Sequence, residues 1–81
     1  MITPKQATAL VQKAMPDRHI EAIYDYDDIH YVIAAPLNGV DSDKNAPWFR
    51  VNKSTGIVSV FVPTANYKKF SDMLHNKQIQ I

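Results

Sequence analysis

The most informative part of the chain is residues 48–62, with the sequence WFRVNKSTGIVSVFV. Two runs rich in β-branched and aromatic residues flank a four-residue loop, Lys53 to Gly56. A loop of this length ending in glycine is typical of a type I turn closed by a residue at positive φ. We therefore predict a β-hairpin. Its inner pairs are Val51–Val58 and Phe49–Val60, and its outer pairs are Asn52–Ile57, Arg50–Ser59 and Trp48–Phe61.

A helix is predicted near the N-terminus. Thr3 supplies a hydroxyl N-cap, Pro4 suits the first helical position, and Gln6 can complete a capping box. Apolar residues then recur at helical spacing as far as Ala14. The helix should end at Met15, because a following proline disfavours helical geometry.

From His19 the apolar pattern changes to a period of two, which predicts two strands and a second hairpin. A tight turn at Asp27-Asp28 would place Tyr26 opposite Ile29 and Tyr24 opposite Tyr31. Asp-Asp is a weaker turn sequence than Asn-Gly, so a shifted or longer loop remains an alternative.

A second helix is predicted after Pro63, with Thr64 as its N-cap. Its apolar side is formed by Tyr67, Phe70, Met73 and Leu74. The tail, residues 75–81, either frays or adds a short edge strand through its alternating isoleucines.

These elements predict one α+β domain over residues 1–81, with the order α-β-β-β-β-α. Four antiparallel strands from the two hairpins would form one sheet, with the N-terminal and C-terminal helices covering one of its faces. A chain of 81 residues has room for a single core. Such a small core gives limited stability, so oligomerisation would be a useful supplement.

Composition excludes several classes of function. The chain has no cysteine, so disulfides, thiolate zinc sites and cysteine nucleophiles are absent. No signal-like or membrane-spanning stretch occurs. We expect a cytoplasmic protein that does not bind membranes, although removal of a secretory segment by processing would leave the same sequence.

Net charge is +1, which argues against general nucleic-acid binding, since such binding depends on neutralising many phosphates. The charges are distributed unevenly. Residues 17–43 hold seven acids and one base, and residues 44–81 hold six bases and one acid. This asymmetry either supports contact between copies or simply reflects solvated acidic turns.

Candidate metal sites are weak. Residues 41–45 resemble the opening of a calcium loop, but Ala46 stands where glycine is needed and Asn52 where a glutamate is needed. The histidines lie in separate elements, although His19 and His30 could share one sheet face near Asp25 or Glu21. We therefore predict no metal and no cofactor.

Candidate catalytic groups are equally weak. Asp25, Asp27 and Asp28 could supply paired carboxylates, but an exposed hairpin end is a poor place for acid–base chemistry. No nucleophile or glycine-rich phosphate loop is recognisable. We therefore predict that the protein is not an enzyme.

The predicted core does not account for one set of residues on the outer face of the second hairpin: Trp48, Arg50, Ile57 and Phe61. If the helices cover the other face, these residues form an exposed strip of the kind found at interfaces. Alternatively, the C-terminal helix or tail covers them. The hypothesis is a noncatalytic interaction or accessory module that self-associates through this strip. The alternative is binding of nucleic acid or a small ligand on the same sheet face.

The leading helix, the hairpin and the stretch Trp48 to Val58 together resemble a PepSY-type domain. The resemblance covers residues 4–62 and departs from the family in the acidic first hairpin, the added C-terminal helix and the lack of an export signal. It implies a noncatalytic module that binds or inhibits a protein partner, often at the cell envelope, and it supplies no catalytic residues.

Overall fold

The computed structural model describes residues 1–39 and 48–80, which contain two α-helices, five strands and a short 3₁₀ helix. Along the chain the elements are α1 (Pro4–Ala14), β1 (Ala22–Asp25), β2 (His30–Ala34), β3 (Trp48–Asn52), β4 (Val58–Phe61), the 3₁₀ helix (Pro63–Asn66), α2 (Tyr67–Asn76) and β5 (Gln78–Ile79). The strands form one antiparallel sheet in the order β4-β3-β2-β1-β5.

The beginning and end of α1 follow the prediction. Thr3 Oγ1 accepts the backbone N–H of Gln6 at 3.1 Å, and Gln6 Oε1 accepts the backbone N–H of Thr3 at 2.8 Å. This reciprocal pair is a capping box that satisfies two amides at the helix start. The helix ends before Pro16, as predicted.

The predicted register of the β3–β4 hairpin is confirmed throughout. Asn52 closes its turn, because its side-chain oxygen accepts the backbone N–H groups of Ser54 and Thr55 at 2.8 and 3.0 Å. Gly56 takes a φ of 75°, in the left-handed region that favours glycine. The glycine in this loop is therefore a conformational requirement.

The first hairpin differs from the predicted tight turn by one residue. Tyr24 pairs with Val32, not with Tyr31. The cause is Asp27, whose Oδ1 accepts the backbone N–H groups two and three positions later, at 2.8 and 2.7 Å. These bonds close a longer loop than the tight turn expected, which agrees with the alternative left open by the sequence. Because side chains alternate along a strand, the shift moves Tyr24 to the other face.

The sheet has five strands, so the prediction of four is wrong. The tail adds β5, which pairs with β1 through Ile23–Ile79 and Tyr24–Gln78. This outcome matches the edge-strand alternative for the tail. The start of α2 also differs, since Asn66 and not Thr64 caps it and a 3₁₀ turn occupies the residues before it.

The helices lie on opposite faces of the sheet, so the prediction that both cover one face is wrong. Ala7 and Val11 of α1 pack against Ile33, while Phe70 of α2 packs on the side of Val32. Neighbouring residues of a strand point to opposite faces, and both of these are fully buried. We call the two sides the α1 face and the α2 face.

Residues 41–45, which resemble only the opening of a calcium loop, lie outside the described residues. Within the described ranges, the two helices have 11 and 10 residues. Neither has the length or apolar character to cross a bilayer.

Replacing Gly56 with alanine is expected to destabilise the protein by about 1 kcal/mol or more, because an L side chain disfavours its φ. The added Cβ would also lie 3.1 Å from Leu10 Cδ1. Gly39→Ala is the matched control, since Gly39 has a φ of 78° and no described atom within 4 Å of its Cβ position. Urea unfolding measures the loss of unfolding free energy in both variants. A smaller loss for Gly56→Ala than for Gly39→Ala would contradict the close contact with Leu10.

Candidate functional site

The strip predicted from the sequence is divided by α2. Trp48 and Phe61 lie on the α2 face and are partly buried. The ring of Trp48 meets that of Phe70 edge to face, with centroids 4.9 Å apart, and the ring of Phe61 lies 6.0 Å from Phe70. Tyr24 and Tyr26 complete this aromatic cluster. The C-terminal helix therefore covers the two large rings, as the alternative reading of the strip proposed.

The other two members of the strip remain exposed. Ile57 is 65% exposed and lies just before β4. Arg50 is exposed on β3 and donates from Nε to Ser59 Oγ at 3.0 Å. These two residues do not form one continuous apolar surface with the covered rings.

The acidic turn of the first hairpin has a structural role. Partial burial tends to raise the pKa of Asp27, but the backbone amides of Ile29 and His30 donate to it and outweigh burial. Lys69 of α2, with Nζ 3.5 Å from Asp27 Oδ2, and His30 add to the effect. The net result is a pKa below the usual value of an aspartate. Asp27 therefore shapes the loop and ties α2 to it.

Asp25 is engaged in a second ion pair. Lys53 Nζ lies 2.6 Å from Asp25 Oδ1 and 4.8 Å from the centroid of the Tyr31 ring. The backbone N–H of Lys53 also donates to the carbonyl of Ile29 at 2.8 Å. A lysine this buried, only 7% exposed, needs such a partner. The pair joins the turns of the two hairpins at one end of the sheet.

The histidines do not converge on one site. His19 Nδ1 lies 2.9 Å from the side-chain oxygen of Asn38, whereas His30 lies beside Asp27. Among residues 1–39 and 48–80, no group of three or more histidine and acidic side chains is arranged to hold a metal ion.

The feature that sequence reasoning missed is the outer edge of β4. In the described part of the sheet, β4 pairs only with β3, so its other side is a free edge. Val60 is 70% exposed and Val62 is 56% exposed along this edge. Residues 57–62 carry no charge. The valine alternation was visible in the sequence, but the sequence did not reveal which strand would lie at the edge.

Two hollows flank β4. The larger, of about 600 Å³, lies beside Phe49 and the end of α1, where Met15 and Arg18 form its wall. The smaller, of about 340 Å³, lies toward Tyr26, His30 and Arg50. Both hollows include residues 60–62. The free edge is therefore bordered by space for side chains.

No family model, curated protein or solved structure matches the chain. The resemblance to PepSY domains stays a prediction, and the geometry of the β4 edge carries the functional argument.

Phe70→Ala should expose Trp48, the only tryptophan of the chain, and shift its fluorescence to longer wavelength. We expect a loss of about 3 kcal/mol in unfolding free energy, as for a phenylalanine removed from a core. Tyr67→Ala on the same helix is the control, because Tyr67 is 69% exposed and should change stability by no more than about 0.5 kcal/mol. An unchanged emission spectrum in Phe70→Ala would contradict the cover by α2.

Asp27→Asn should keep a side-chain oxygen that accepts the backbone N–H groups of Ile29 and His30, but it removes the negative charge. The pKa of Asp27 is lowered in the folded state, so its charge contributes stability above the ordinary aspartate pKa of 3.8. That contribution is lost as pH falls through the folded pKa. We expect the free energy of unfolding of the wild type to exceed that of Asp27→Asn by up to about 1 kcal/mol at neutral pH, and we expect this difference to disappear at low pH. Urea unfolding at a series of pH values measures this difference in free energy. Asp28→Asn is the control, because Asp28 is exposed. A difference between wild type and Asp27→Asn that persists at low pH would contradict the charge effect.

Proposed function

We propose that the protein is a noncatalytic interaction module that binds an extended, uncharged polypeptide segment by adding it to the sheet at the free edge of β4. The observation that carries this proposal is the exposure of Ile57, Val60 and Val62 together with the absence of charge along residues 57–62. Strand addition is a common mode of peptide recognition, in which backbone hydrogen bonds supply affinity and side-chain pockets supply specificity.

The nature of the edge supports this proposal. Natural proteins protect edge strands with charges, prolines, bulges or very short length. Residues 57–62 contain none of the charges or prolines, and β4 pairs with β3 in continuous register over four residues. The opposite edge, β5, has only two residues and is preceded by Lys77. Of the two edges, β4 is the better template for an incoming strand.

The flanking hollows support the same mode of binding. Successive side chains of an added strand point alternately to the two faces of a sheet. Next to β4, one set would point toward the hollow beside Phe49 and the other toward the hollow beside Arg50. The first hollow has mostly apolar walls, which favours an aliphatic side chain there.

The remaining features agree with a binding role. Asp25 and Asp27 are occupied by Lys53, Lys69 and loop amides, which gives them a structural use in place of a catalytic one. Stacking of nucleic-acid bases would need open rings on the α2 face, whereas Trp48 and Phe61 pack against Phe70. The PepSY resemblance also favours a protein partner.

The test uses a blocked heptapeptide of alternating threonine and valine, titrated into isotope-labelled protein dilute enough to exclude self-association. We expect saturable amide shifts centred on residues 58–62 at peptide concentrations up to about 1 mM. The same peptide with an N-methylated backbone should cause none, because it has no N–H groups to donate.

Two protein variants sharpen the test. Val60→Lys places a charge on the edge and should abolish the shifts. Ile29→Lys adds the same charge at a residue that is 56% exposed in the first hairpin turn, and it should bind like wild type. Absence of shifts, or shifts concentrated elsewhere, for instance on α1, would contradict the proposed function.

A further inference from the structure

We infer that the strand added at β4 is β4 of a second copy of this chain, paired antiparallel across a two-fold axis that passes between the two Val60 residues. This inference rests on the proposed function and names its partner. The hydrogen-bond pattern, the charge of the strand and the symmetry of its valines carry it.

The hydrogen-bond pattern identifies which backbone groups face the edge. The backbone N–H of Asn52 donates to the carbonyl of Ile57 at 3.0 Å, so these residues form a hydrogen-bonded pair. In antiparallel sheets such pairs alternate with pairs that are not hydrogen-bonded. Ser59 and Phe61 therefore also direct their backbone groups to β3. The N–H and C=O groups of Val58 and Val60 and the N–H of Val62 point outward, whereas the C=O of Val62 accepts the first hydrogen bond of the 3₁₀ helix that it caps.

These three outward residues are symmetric about the middle one. Placing a second copy antiparallel, with Val60 opposite the partner's Val60, also sets Val58 opposite the partner's Val62. The Val60 pair can then exchange two hydrogen bonds, and the N–H of each Val62 can donate to the C=O of the partner's Val58, which gives four in total. Moving the axis to Ser59 or Phe61 leaves only two of these valine pairs. The Val60-centred register thus brings all three valines of each copy into the contact.

Charge complementarity also favours a second copy. An isologous interface brings each residue near its own symmetry mate, so a charged strand would repel itself. Residues 57–62 are uncharged, and no repulsion arises along the paired strands. By contrast, the β5 edge would bring Lys77 near its symmetry mate.

Side-chain packing is consistent with this register. Val60 lies opposite Phe49 on the α1 face, and Val58 and Val62 share that face by alternation. Pairing would line up six valines, three from each copy, and cover the exposed side chains of Val60 and Val62. On the α2 face, the partner's Phe61 would lie opposite Ser59, whose Oγ accepts a hydrogen bond from Arg50.

The first experiment measures mass by sedimentation or light scattering, from about 1 µM to about 1 mM protein, because a contact through one pair of strands is small. We expect a concentration-dependent dimer. Val60→Lys should raise the dimer dissociation constant by at least about tenfold, since two like charges would face each other. Ile29→Lys should change it by no more than about twofold. Circular dichroism confirms that each variant is folded.

The second experiment tests the register. The chain has no cysteine, so Val60→Cys introduces a single thiol. In the proposed register the two Val60 Cα atoms are about 5.5 Å apart, within the range of a disulfide. The two Ile57 residues would be about 20 Å apart along the strands. Mild oxidation should therefore cross-link Val60→Cys and leave Ile57→Cys largely monomeric.

Each outcome supports or overturns the inference. A monomer throughout the range, or a dimer that Val60→Lys leaves intact, overturns self-pairing at β4. Equal cross-linking of the two cysteine variants overturns the register. A chain that stays monomeric but binds the heptapeptide at β4 overturns only this inference, whereas failure of the heptapeptide test overturns the proposed function itself.

Discussion

The pairing of β2 with β3 is the interaction on which the rest of the structure depends. It joins two hairpins that are otherwise local, through the register Tyr31–Val51 and Ile33–Phe49. It also places β2 third in a five-stranded sheet, with Tyr31 to Ala34 all buried. A strand buried on both sides needs cover on both sides, and α1 and α2 supply it. The same pairing leaves β4 at one edge.

Local features were predictable from the sequence because their causes are local. The capping box at Thr3, the turn at Asn52 and Gly56, and the β3–β4 register each depend on residues a few positions apart. The register of the first hairpin was not predictable from the sequence, because hydrogen bonds from the loop amides to the Asp27 side chain favour a longer loop. An Asp-Asp sequence is compatible with both loops, so the sequence left the choice open.

The arrangement of the helices could have been predicted from one signal. Residues 31–36 form a continuous apolar run, and such a run is typical of a strand covered on both faces. Interpreting the run as a simple alternation led to helices on one face and an exposed Trp48. The position of β4 at the edge could not be predicted in the same way, because it depends on pairing between β2 and β3, which are separated by a long connection.

The functional account follows from this architecture. Packing against α2 accounts for the partly buried rings of Trp48 and Phe61, and the ion pairs account for Asp25, Asp27 and Lys53. The residues still unexplained by folding lie along the outer side of β4. An exposed, uncharged edge strand pairs readily with other chains, which promotes aggregation when the edge is free and supports binding when it has a specific partner.

The central claim is that β4 pairs with β4 of a second copy. Amide hydrogen exchange in dilute and concentrated samples tests it most directly, because it measures the protection of each amide along β4 separately. Ser59 and Phe61 donate to β3 in either state, so their exchange should change little with concentration. The amides of Val60 and Val62 should exchange fast in the dilute sample and slow markedly in the concentrated one. Fast exchange of these two amides at every concentration, or slowing confined to other parts of the chain, would contradict the account.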